Sequence, residues 1–368
     1  MKYPLARPYI REEEKRAVRR VLESGILSIG PTVKAFEEAF AKRNGTRYAV
    51  AVSSGTAGLH VALLAAGMKW GDEVITTPFS FVASANSILY VGAKPVFVDI
   101  DPLTYNMDPD EIEKKITKKT KAILVVHIFG QPCDMNPILK IAKKHNLKII
   151  EDACESLNAT YRGKQVGTFG ESAVYAFYAN KQMTTGEGGM IVTNSKKVYE
   201  LCKSLRNQGR APNMQWLDHD RLGYNYRMDE MSAALGFTQL KKLSFLVRER
   251  QKIARWYGKH LKHYARILQA PQTAKGNTNT WFVYVAQLLK TSPRRDEVIR
   301  RLAKKGIGSK PYLPSIHLFS FYRKLLGHRR GDFPVCELVS SRSLALPFYI
   351  GLTERDVKRI VSTLVSVL

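Results

Sequence analysis

The stretch Ala176-Phe-Tyr-Ala-Asn-Lys-Gln-Met-Thr-Thr-Gly-Glu-Gly-Gly-Met190, read with Ile149-Ile-Glu-Asp-Ala-Cys154 upstream, decides how this chain folds. The apolar run ending at Tyr178 and the run Met190-Ile-Val-Thr193 predict two strands. Between them lies a loop that carries Lys181, with glycines that let backbones approach closely. Lys148-Ile-Ile-Glu151 predicts another strand, with Asp152 at its end. A carboxylate there is costly unless it has a partner. A lysine amine condenses with an aldehyde, and a strand-end aspartate can hold a pyridinium nitrogen. The two together point to pyridoxal phosphate as cofactor.

Outward from this core, short apolar runs alternate with helical patterns between about residues 45 and 195. Strands are predicted at Tyr48–Val52, Glu73–Thr77, Pro95–Val98 and Lys121–Val126. Helices are predicted at Thr56–Ala66, Ser80–Tyr90, Asp110–Ile116 and Ile138–His145. This alternation predicts an α/β fold, a mainly parallel sheet with helices on both faces. Ligands in such sheets gather at the carboxyl ends of the strands. Residues 229 to 263 read as helical with a break near Ser244. The last hundred residues change pattern: a strand over Phe282–Leu289, a helix over Asp296–Lys304, the loop Lys310-Pro-Tyr-Leu-Pro314 and a helix from Glu354. The expected division is a large domain, 1–245, and a smaller one, 246–368, with the helix 12–23 free to pack with either.

Ser53-Ser-Gly-Thr-Ala57 joins a predicted strand to a predicted helix, where free backbone N–H groups can hold a phosphate; a plain strand–helix turn is the competing reading. Phe81 is placed either to stack on a pyridine ring or to fill the core. Asn225, in Leu222-Gly-Tyr-Asn-Tyr-Arg-Met-Asp-Glu230, reads equally as a helix cap.

The 368 residues carry 58 Lys+Arg against 32 Asp+Glu, a formal net charge of +26. Such a field attracts anions. The cations are scattered rather than interleaved with aromatics on one element, so no dedicated nucleic-acid module is expected. The N-terminus has no apolar region of the signal-peptide kind, and no apolar run approaches the roughly 20 residues that span a bilayer. The four cysteines lie far apart, which predicts neither a disulfide framework nor a metal site and fits a cytoplasmic location.

Together these motifs resemble the sugar-nucleotide aminotransferases of the DegT/DnrJ/StrS type, pyridoxal-phosphate enzymes of fold type I. The resemblance covers nearly the whole chain. It runs through Ser24-Gly-Ile-Leu-Ser-Ile-Gly-Pro31, Ser54-Gly-Thr-Ala57, Pro78-Phe-Ser-Phe-Val-Ala-Ser84, Glu151-Asp-Ala153, Asn180-Lys181 with Thr185-Gly-Glu-Gly-Gly189, Gly223-Tyr-Asn-Tyr-Arg-Met228 and Leu346-Pro347. It implies Lys181 as the lysine that attaches the cofactor and Asp152 as the partner of its ring nitrogen. It implies Ser54, Gly55, Thr56 and Ala57 as the phosphate turn and Phe81 as the stacking ring, with Glu155 and Asn180 beside the cofactor. Asn225 would reach the phosphate of a neighbouring subunit in a homodimer. Arg227, Tyr312 and His317 would contact the substrate. The resemblance further implies glutamate as amino donor and a nucleoside-diphosphate 4-keto-6-deoxy sugar as acceptor, closest to the perosamine-synthase branch. Two positions depart from the pattern: Ala176 stands where a phosphate-binding serine is usual, and Glu155 where glutamine or histidine is. Alternatives are a sugar dehydratase, whose relatives carry histidine in place of the lysine, and a regulator that binds nucleic acid.

Overall fold

The structure, a computed structural model, describes residues 1–211, 218–289 and 293–368. Its larger sheet is built from β1 (Tyr48–Val52), β2 (Glu73–Thr76), β3 (Lys94–Phe97), β4 (Thr120–Val126) and β5 (Lys148–Asp152). A two-stranded hairpin, β6 (Thr160–Tyr161) and β7 (Lys164–Gln165), precedes its last members, β8 (Ser172–Ala176) and β9 (Gly189–Thr193). The order across the seven strands is β1-β9-β8-β5-β4-β2-β3. Only β9 runs against the rest, pairing antiparallel with β1 and β8. The sheet is therefore mixed but mainly parallel, and the carboxyl ends of β1, β5 and β8 share one edge.

Side chains alternate across each strand, and helices cover both faces. Val50 and Val52 of β1 join Leu59 and Leu63 of the helix Gly55–Ala65 in one core. Ala49 and Ala51 face the other way, against Phe36 and Phe40 of the helix Pro31–Asn44. Burial on both sides explains why the strands read as continuous apolar runs.

The smaller sheet is antiparallel: β10 (Leu268–Gln269), β11 (Tyr284–Leu288), β12 (Lys310–Pro311) and β13 (Ser343–Leu346), ordered β10-β11-β13-β12. With the helices Arg295–Lys304 and Glu354–Ser366 it forms the smaller C-terminal α/β domain. The helical stretch expected over 229 to 263 divides at Lys242, two residues before Ser244, into Glu230–Lys241 and Leu243–Leu261. That second helix serves two cores. Leu243, Leu246 and Val247 pack under the large sheet, while Ile253, Ala254, Tyr257 and Leu261 pack with the small one. The N-terminal helix, Glu12–Ser24, sets Ala17 and Val21 against Ala234 of Glu230–Lys241. Among the described residues no helix is long and apolar enough to cross a membrane, and all four cysteines are free.

Candidate active site

Two adjacent carboxylates at the end of β5 face opposite ways. Glu151 is wholly buried and fully used. It accepts hydrogen bonds from the N–H groups of Gly167 (2.7 Å), Phe169 (2.8 Å) and Gly170 (2.8 Å). It also meets His127 Nε2 at 3.2 Å. The Cys133 N–H donates to His127 Nδ1 at 3.0 Å, which leaves the ring proton on Nε2 to donate to Glu151. Glu151 thus pins the chain around Asp152. Asp152 itself, 5% exposed, accepts from the Ser84 hydroxyl (2.7 Å) and the Cys154 N–H (3.2 Å). A carboxylate offers about four acceptor positions, so Asp152 keeps capacity for one more donor.

The loop from β8 to β9 is tied by backbone hydrogen bonds from Phe177 to Gly188, Thr185 to Phe177 and Lys181 to Tyr178. Close approach requires glycine at position 189. A Cβ on Gly189 would stand 2.7 Å from the Ser54 carbonyl oxygen. Lys181 is held under cover, its side chain 12% exposed, with Nζ 3.4 Å from Glu155 Oε1 and 3.8 Å above the centre of the Phe282 ring. The other Glu155 oxygen accepts from the Phe129 N–H at 2.9 Å. Burial pushes the Glu155 carboxyl up, and the Lys181 charge partly offsets that. Tyr312 stands across the cavity, its phenol pushed up by burial and then by Glu155.

The third component is the start of the helix Gly55–Ala65. Ser54 caps it, accepting from the Ala57 N–H at 3.1 Å. The N–H groups of Gly55 and Thr56 have no partner within the helix, and they open on the cavity. A Cβ on Gly55 would stand 2.7 Å from Ala176 Cβ and 3.0 Å from Cys154 Sγ, so glycine is required where β8 passes this closely.

These groups share a cavity of about 510 Å³. Ser54, Gly55, Thr56, Phe81, Asp152, Glu155, Asn180, Lys181 and Tyr312, all expected at a site, line it. Phe81 is 61% exposed at its wall and offers a ring face. Asn180 Oδ1 is buried without a hydrogen-bond partner. The donor set fits pyridoxal phosphate: free helix N–H groups for an anion, a carboxylate with spare capacity for a ring N–H, an amine, and an uncovered aromatic face.

Four expected residues do not line the cavity. Ala57 is buried and its N–H is already taken by Ser54. Asn225 is exposed and bridges to Asn207, and Arg227 donates to Asn207 Oδ1 at 2.9 Å. His317, expected at the substrate, is fully buried; it meets Glu337 at 3.0 Å and packs against Phe333. It sits on the short helix Ile316–Leu318, and its ring also meets that of His328. Conversely, Ser84 and Phe282 touch the key groups without having been singled out. Ser84 falls one helical turn after Ser80, its partner at 2.7 Å, a spacing visible in the sequence. Phe282 has no local signal.

Residues 8–365 match the DegT/DnrJ/EryC1/StrS aminotransferase family. The chain is 41% identical to the GDP-perosamine synthase of Caulobacter vibrioides, over 93% of this chain and 92% of that protein. It is 40% identical to the GDP-perosamine synthase of Escherichia coli O157:H7, over 97% and 96%. Helicobacter pylori PseC, an aminotransferase involved in the biosynthesis of pseudoaminic acid, superposes with a TM-score of 0.94 at 29% identity, over 100% of this chain and 99% of that one. The chain belongs to the DegT/DnrJ/EryC1/StrS aminotransferase family.

Proposed function

We propose that this protein is a pyridoxal-phosphate-dependent aminotransferase that moves an amino group from glutamate to a nucleoside-diphosphate 4-keto-6-deoxy sugar, with GDP-4-keto-6-deoxymannose as the acceptor. The observation that carries the reaction type is the meeting of Lys181 and Asp152 in one cavity beneath a helix start. The acceptor rests on similarity to two GDP-perosamine synthases and on the Asn180–Met190 stretch.

Lys181 would attach the cofactor, Gly55 and Thr56 would hold its phosphate, Phe81 would cover its ring and Asp152 would keep its ring nitrogen protonated. When bound, the cofactor supplies the electron sink that makes the donor's α-proton acidic. Lys181 Nζ then takes that proton and returns it as general base and acid. Lysine at position 181, where the dehydratase relatives carry histidine, favours amino transfer. Asn225, exposed and outside its own chain's cavity, fits a homodimer in which it serves the neighbouring subunit. The division into a cofactor-binding unit, residues 1–245, and a smaller unit, 246–368, belongs to the same proposal. Incubation with pyridoxal phosphate, glutamate and a panel of keto-sugar nucleotides, read by mass, tests the reading. An amino sugar formed from the GDP-linked substrate supports it. Amination of a different sugar nucleotide alone removes the acceptor assignment, and no amination of any removes the function.

A further inference from the structure

Arg250 lies on the helix Leu243–Leu261 at the point where it leaves the large core and enters the small one. Its side chain is 5% exposed at the residue level, yet no carboxylate among the described residues offsets its burial, which alone pulls the guanidinium down to about 10. It therefore stays charged at neutral pH inside the protein. A buried cation is costly unless it is hydrogen-bonded. Here backbone carbonyls do that work in two pairs. Nη2 donates to the carbonyls of Lys181 (3.0 Å) and Asn180 (3.5 Å). Nη1 donates to those of Phe282 (3.1 Å) and Trp281 (3.3 Å). Nε has no partner. One planar fork thus grips the loop that carries Lys181 and the strand entry that carries Phe282, whose ring lies 3.8 Å from Lys181 Nζ. The turn it grips is otherwise unfavourable, since Trp281 has φ +54°. A single ammonium cannot reproduce this geometry, because it presents its donors from one point rather than from a rigid fork.

We propose that Arg250 is a positioning residue for Lys181: its fork joins the lysine loop of the large domain to the Phe282 turn of the small one and so fixes Nζ in the cavity. This rests on Lys181 being the residue that attaches the cofactor. The variant is Arg250→Lys, with the exposed Arg248→Lys on the same helix as control. Borohydride trapping at timed intervals after pyridoxal phosphate is added to the cofactor-free protein gives the rate of covalent capture, and peptide mapping gives its place. Equilibrium dialysis in a Lys181→Ala background gives the non-covalent affinity. Loss of charge-assisted hydrogen bonds on the lysine loop is expected to slow capture by about tenfold or more, with non-covalent affinity changed by less than about twofold. Capture at the parent rate overturns the proposal, as does an equal loss of non-covalent affinity, which would mean that Arg250 shapes the whole pocket. If Arg250→Lys does not fold, Arg250→Gln removes the fork together with the buried charge; slower capture is then expected, and the parent rate overturns the proposal. Mapping of the cofactor to another lysine in the parent protein would instead refute the role of Lys181.

Discussion

Ala176→Ser restores a hydroxyl at the end of β8, against the start of the helix Gly55–Ala65. Ala176 lines the cavity, and its Cβ is the atom that a Cβ on Gly55 would meet at 2.7 Å. A serine oxygen there lies beside the Gly55 and Thr56 N–H groups that the phosphate would use. A hydrogen bond to a charged group contributes roughly 1.5–3 kcal/mol, against about 0.5–1.5 kcal/mol for the neutral bond the new hydroxyl could make with the helix instead. The charged bond prevails, and about 1.4 kcal/mol of net gain is about tenfold in Kd. Equilibrium dialysis of pyridoxal phosphate is best done in the Lys181→Ala background, where covalent attachment does not contribute. Tenfold tighter binding is expected. Equal or weaker binding in the serine variant would mean that the alanine site already satisfies the phosphate and that the missing hydroxyl is no deficit.

Asp152→Asn is expected to fold, since its amide oxygen can still accept from the Cys154 N–H while the Ser84 hydroxyl turns to accept from the amide nitrogen, and to slow half-transamination of glutamate by orders of magnitude; near-parent single-turnover rates would remove Asp152 from the chemistry. Mixing Lys181→Ala subunits with inactive Asn225→Ala subunits should recover activity through hybrid dimers with one intact site, and no recovery after demonstrated subunit exchange would exclude shared sites. Glu155 holds its proton more tightly in the folded chain than its ordinary value of 4.5, chiefly through burial. Its contribution is therefore present at acid pH and lost as pH rises through the folded value. In the cofactor-free protein the Tm gap should move in favour of Glu155→Gln as pH rises above the ordinary carboxylate range. A gap that does not change with pH would contradict this.

The parts legible in the sequence are those set by local pattern. The strands β1 to β5 announce themselves because burial on both faces makes them continuous apolar runs. Asp152 stands out because an acid ends one of them, and Lys181 because glycines surround it. The helix Pro31–Asn44 carries its own marks, Pro31 at its first position and Gly45 past its end, but the expectations from sequence did not include it. Much of its N-terminal capping is remote: Glu230 accepts from the N–H groups of Gly30, Thr32 and Val33. The small sheet was only partly visible because β10 and β12 are two residues each, too short for any period. Phe282 and Arg250 reach Lys181 from far along the chain, through packing that no local pattern encodes. His317 is a different case: the resemblance implied a substrate contact, and in the structure its ring is buried against Phe333 and Glu337.

Attachment of the cofactor to Lys181 is tested by locating the cofactor on the chain after chemical fixation. The parent protein, loaded with pyridoxal phosphate, is reduced with borohydride, digested and read by mass spectrometry. The reduced cofactor is expected on the peptide containing Lys181, with no such adduct in Lys181→Ala. An adduct on a different lysine, or none retained by the parent protein, would contradict it.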